Sequence, residues 1–226
     1  MKAQVTLGLA AVVGLTTAAT ADVLWDQSNY STDPNALVDQ EFGDFPTYSS
    51  YMVTDVVADT DWVIQSVSVY FTSNNGNWGQ FLSQARLNIF DWVPGTLPLA
   101  ADDPTAGAVV SVGAVEQGDS TWKITASGLN VNLDAGNYWI GLTPIVNFAD
   151  GGQEFHRPAP IINDNNAWRN PGGAFGYGTD WIYAHIVDGT GEWENQWEAS
   201  ILIEGVPAPG ALALLGLAGL LGRRRR

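Results

Sequence analysis

The chain has 226 residues, ten of them Trp and none Cys, with 24 acidic side chains against nine basic ones. The missing Cys excludes disulfides, Cys-based zinc sites and thiol chemistry, and the net charge of −15 excludes a nucleic-acid partner, because phosphate binding needs a basic patch. Residues 22–205 hold all 24 acids and only Arg86, Lys123, Arg157 and Arg169 as bases, a net −20 that keeps such a body dispersed, disfavours anionic lipid and invites divalent cations.

The N-terminus reads as a secretory signal peptide over residues 1–21. Lys2 supplies the positive start, Val5 to Leu15 the apolar run, and Ala19-Thr20-Ala21 a small-residue cleavage site before Asp22, with Ala19 and Ala21 as its determinants. Residues 22–204 form one ectodomain, long enough for a core of its own.

Along this ectodomain the hydrophobic period is two. Val63, Val67, Val69 and Phe71 alternate with Ser66, Ser68 and Tyr70; Leu87 and Ile89 alternate with Arg86 and Asn88; Trp122, Ile124 and Ala126 alternate with Lys123 and Thr125. Leu129, Val131 and Leu133 lead through Asp134-Ala135-Gly136 into Tyr138 to Thr143, a pattern that predicts a hairpin with Gly136 at positive φ. Trp181, Tyr183 and His185, then Trp197, Ala199, Ile201 and Ile203, give two further stripes. A short helical turn is expected only near Asn35 to Glu41. Many short strands split by Gly, Asn, Asp and Pro predict an all-β, antiparallel, jelly-roll-like β-sandwich.

The Gly-, Pro- and Asn-rich stretch from Asn147 to Thr179 is the expected place for a binding site, with Phe155, His156, Trp168, Phe175 and Tyr177 in it. Trp168 and Tyr177 there, and Trp78 in Asn74-Asn75-Gly76-Asn77-Trp78-Gly79, are the candidate carbohydrate-binding rings. An aromatic face beside amides and carboxylates suits a sugar; the other reading is that these rings cap the core. Calcium is the one candidate cofactor. It could use Asp59 and Asp61, or Asn163, Asp164 and Asn165, or Asp188, Glu192 and Glu194, although no run matches a known calcium-loop spacing and solvated turns explain the same residues. His156 and His185 are too few for a transition-metal site, so no other metal is expected. Glu192 and Glu194, ~7 Å apart if on one strand face, are the only carboxylate pair suggestive of glycoside hydrolysis. No nucleophile elbow or phosphate-binding Gly loop occurs, so no catalytic residue is assigned.

Residues 205–226 close the chain with a linker-like stretch from Gly205 to Gly210, an apolar run from Ala211 to Gly222, and Arg223, Arg224, Arg225 and Arg226. Val206 to Gly222, if helical, reaches ~26 Å and makes a marginal transmembrane helix. The four arginines act as its cytoplasmic stop, placing the body outside.

Both ends together resemble those of PEP-CTERM proteins, the exosortase substrates of Gram-negative bacteria. The motif Val206-Pro207-Ala208-Pro209, with Ala208 where the family carries Glu, would be the sorting and processing motif. The resemblance implies an exosortase-type processing enzyme as partner, transient anchoring in the inner membrane, and a final place on the cell surface or in the extracellular matrix. Trp62-Val63-Ile64 to Val69-Tyr70 and Leu133 to Trp139 also resemble ectodomains that precede such tails. The expected function is therefore that of a non-enzymatic exported surface protein with exopolysaccharide as candidate ligand. The alternative is a secreted carbohydrate-active enzyme, a glycoside hydrolase or lyase, on the same scaffold.

Overall fold

In the computed structural model, which describes residues 21–32, 36–163, 166–184 and 198–207, the alternating stripes become antiparallel strands of one strongly curled sheet. The strands in chain order are β1 (Asp22–Gln27), β2 (Leu37–Val38), β3 (Tyr51–Ala58), β4 (Trp62–Ser73), β5 (Gln84–Asp91), β6 (Ala108–Gly118) and β7 (Thr121–Leu133). They continue with β8 (Gly136–Ile145), β9 (Glu154–His156), β10 (Pro158–Ala159), β11 (Ala167–Arg169), β12 (Trp181–Tyr183), β13 (Glu198–Ala199) and β14 (Ile201–Pro207). The main sheet runs β1-β14-β4-β7-β6-β5-β8-β3-β11-β12, with β2 and β9 attached at the end of β4, while β10 and β13 form a separate pair.

One long strand makes the curl. Residues 108–111 of β6 pair with β5, whereas residues 112–118 pair with β7, so β6 belongs to both halves and folds one over the other. The enclosed core takes Ile64, Val67, Val69 and Phe71 from β4, Ile124 and Ala126 from β7, and Ile201 and Ile203 from β14. These meet Ala85 and Leu87 of β5, Ile140 and Leu142 of β8, and Val56 of β3.

Four local expectations are corrected. Val63 is not in the inward stripe: the register shifts between Ile64 and Ser66, and this β-bulge at Gln65 makes Trp62 and Ile64 inward on one side of it and Val67, Val69 and Phe71 inward on the other. The predicted hairpin through Asp134-Ala135-Gly136 is not a hairpin either. β7 pairs with β4 and β6, while β8 pairs with β3 and β5, so this turn crosses between the two halves. Its corner is held by Asp61 Oδ1, which accepts from Ala135 N at 2.9 Å, and Gly136 is not among the positive-φ glycines. Third, Gly205, Val206 and Pro207, expected in a linker, are sheet residues in register with Ile64, Val63 and Trp62. The helical turn expected at Asn35 to Glu41 gives way, from residue 36 on, to β2 and two β-bridges.

The real hairpin lies between β6 and β7. Asp119 (φ 48°) and Ser120 (φ 55°) form a two-residue turn with both centres left-handed, the twist-matched geometry for antiparallel strands.

Residues 1–20, which carry the signal-peptide expectation with Ala19, and residues 208–226, which carry Ala208, Pro209 and Arg223 to Arg226, lie outside the described residues. Ala21 is described and exposed. Among the described residues no helix is long and apolar enough to cross a membrane.

Candidate functional site: an aromatic cleft

The two tryptophans expected to stack on a sugar are interior. Trp78 is 0% exposed, its ring packed 6.2 Å from that of Phe71 and 6.0 Å from that of Trp122. The turn Trp78–Gln80 folds its indole back under the sheet end, so the Asn- and Gly-rich sequence around it marks the turn and not an exposed ring. Trp168 is equally buried. It donates from Nε1 to Val38 O at 3.1 Å and meets the half-buried Tyr177 edge-on at 5.3 Å. Both rings cap the core, as the second reading of these residues had it.

The ionisable groups beneath this end of the sheet are also sealed. His156 Nε2 faces Ser200 O at 3.0 Å, and because a carbonyl only accepts, this nitrogen carries the proton. His156 Nδ1 then meets Asp39 Oδ2 at 2.9 Å, and Asp39 Oδ1 accepts from Thr143 Oγ1 and Met52 N. Burial pushes the Asp39 carboxyl up, against its bonds to His156. Glu154 lies beside it with one oxygen 3.2 Å from Ser73 Oγ, and burial pushes its carboxyl to about 9, so it is protonated at neutral pH. Neither carboxyl is exposed, which leaves both without access to a substrate.

The open feature lies above them. Phe42, Phe45, Tyr48, Phe148, Gln153 and Phe175 line a cleft of about 260 Å³ at the end of the sheet where β3 starts and β8 finishes. Phe45, Tyr48, Phe148 and Phe175 are each between 44% and 50% exposed. Four half-exposed rings on one cleft are a costly way to leave apolar surface in water, and contiguous patches of this kind mark interaction sites.

Three loops build it, and each is pinned. In the first, Asp44 accepts from Phe148 N at 2.9 Å and Ala149 N at 3.0 Å, tying the Phe42-to-Tyr48 loop to the short turn Phe148–Gly151. Burial raises the Asp44 carboxyl, but the backbone amides together outweigh that and hold it below the usual range, so it is ionised. Phe42 N is bound by Ser49 Oγ at 3.0 Å. In the second, Gln40 holds the segment on both sides of Phe148, donating to Val146 O and Gly152 O and accepting from Glu154 N at 2.8 Å. In the third, Gly172 packs its Cα on Thr47 so closely that a Cβ there would clash with Thr47 O. Glycine is required at that contact.

Phe175 is held in an uncommon conformation. Its φ is +58°, between Gly173 at +68° and Gly176 at +82°, a left-handed backbone that costs a bulky residue of order 1–3 kcal/mol. Among the described residues its ring meets that of Tyr48 edge-on at 5.9 Å, and 44% of its surface stays exposed.

The expected stretch from Asn147 to Thr179 thus contributes Phe148, Gln153 and Phe175. The other half of the cleft, Phe42, Phe45 and Tyr48, escapes the sequence reading. Its signal is present in Phe42-Gly43-Asp44-Phe45-Pro46-Thr47-Tyr48, where three aromatics share seven residues with turn-formers and no period-2 partner.

Of the calcium candidates, Asp61 is engaged by Ala135 N and Asp59 lies near Thr60 Oγ1, while Asn163 N donates to Glu198 Oε1. Among the described residues no three His, Asp or Glu side chains gather as a metal site. Asp164, Asn165, His185, Asp188, Glu192 and Glu194 lie outside the described residues. Comparison with protein-family models, with curated proteins and with solved structures returns no match.

Proposed function

We propose that this chain is an exported, non-enzymatic surface or matrix protein, sorted through its C-terminal signal and touching exopolysaccharide through the aromatic cleft. On this reading the curled sheet is a jelly-roll-like sandwich whose two poles have different duties. The observation that carries the proposal is their separation. Pro207, the last residue of β14, pairs with Trp62 at the start of β4, the same pole as Leu133, Ala58 and Gly136. The cleft lies at the other pole, before Tyr51 and after Ile145. The ten residues of β8 alone put roughly 30 Å between the two.

A body tethered at Pro207 by the short Ala208-Pro209-Gly210 segment stands directly on the bilayer, with its aromatic cleft turned away from it. Support at the other end comes from β1, which begins at Asp22, directly after the expected cleavage site. An exosortase-type enzyme would meet the motif only from Ala208 onward, because Val206 and Pro207 are engaged with β4.

The test is fractionation of a Gram-negative host expressing the full chain and a version lacking Arg223 to Arg226. The full chain should sediment with membranes or appear outside the cell, and the shortened version should be mislocalised. Intact full chain in the cytosolic fraction contradicts the proposal.

A further inference from the structure

We infer that the cleft is a cage for an ammonium group, so that the polymer it recognises is an amino-sugar polysaccharide with free amines. This rests on the glycan reading above and narrows it to one chemistry. The ring geometry is the first argument. A neutral sugar stacks on one open, flat face, whereas these rings are mutually inclined: 51° between Phe42 and Phe148, 80° between Phe45 and Phe148, 61° between Tyr48 and Phe175. A cleft lined by several mutually inclined aromatic rings offers a compact cation more than one ring to approach.

Charge is the second. The ionised Asp44 lies between the lining residues Phe42 and Phe45 in sequence, with its carboxylate on the amides of Phe148 and Ala149, and among the described residues no Lys or Arg lines the cleft. Arg86, on β5, is engaged by Glu41 in a two-point pair, Nη2 to Oε1 at 2.7 Å. Residues 22–205 as a whole carry 24 acids against four bases, a net charge that attracts a polycation and repels a polyuronate. Tyr48 Oη and the Gln153 amide are the polar groups on the walls, enough to meet sugar hydroxyls beside the amine.

The test uses the exported full chain in detergent, retained on three matrices: a de-N-acetylated β-linked glucosamine polymer, its fully N-acetylated counterpart, and a polyuronate. Retention is expected to be about tenfold stronger on the free-amine polymer than on the other two. Tetramethylammonium chloride should displace the protein at concentrations where sodium chloride does not. Phe175→Gly should weaken retention about tenfold with no fall in melting temperature, since glycine relieves the left-handed backbone, and Phe148→Ala should do so as well. Equal retention on the acetylated and free-amine polymers overturns the cage while leaving glycan binding intact. Retention on the free-amine polymer that neither substitution nor tetramethylammonium affects assigns it to bulk charge and overturns the cage. Retention on none of the three overturns both this inference and the glycan reading.

Discussion

Glu154 is a buried side chain that gives the stability of the fold a pH dependence. Its carboxyl is neutral in the fold up to about pH 9 but ionises near its ordinary value when the chain unfolds, so between those limits the unfolded state binds fewer protons. Stability must therefore fall as pH rises from about 5 to 9, and the raised carboxyl of Asp39 acts in the same direction. Glu154→Gln should flatten that slope and raise the melting temperature at pH 8, as thermal melts across the range would read; a wild-type slope of opposite sign contradicts the assignment. The tryptophans separate in the same manner. Trp78→Ala removes a fully enclosed ring and should cost about 3–5 kcal/mol by denaturant unfolding, with glycan retention of the folded fraction unchanged. A variant that folds as well as wild type would return Trp78 to the surface.

Elements were legible where the period stayed intact. Ile201 and Ile203 in β14 face inward as alternation requires, and so do Ile124 and Ala126 in β7, which precede the left-handed Gly128 where the register of that strand shifts. Val63 was misread because a bulge leaves no mark in an apolar-polar pattern beyond one displaced residue. The turn before Gly136 was misread for a different reason: a crossing between sheet halves and a hairpin use the same Asp, Ala and Gly. The cleft was half legible. Phe175 stands in an aromatic, Gly-rich stretch that attracts notice, while Phe45 and Tyr48 belong to a loop whose meaning depends on Asp44 reaching a turn more than a hundred residues later. The β6–β7 turn gives a test at this scale. Asp119→Asn with Ser120→Gly supplies residues suited to left-handed centres and should stabilise the hairpin by ~1 kcal/mol, seen as a higher urea midpoint; a lower midpoint would deny the turn type. Asp44→Ala should cost ~1 kcal/mol and loosen both loops, weakening retention on any matrix the cleft holds.

At the scale of the molecule, a sheet curled through β6 places Pro207 and the cleft at opposite poles. The whole account depends on that cleft facing the outside of the cell. Because the chain contains no Cys, a single Phe45→Cys substitution gives one unambiguous thiol. The deciding measurement is its labelling by a membrane-impermeant maleimide in spheroplasts expressing the otherwise intact full chain. The account predicts labelling without lysis; a thiol that reacts only after lysis would contradict it.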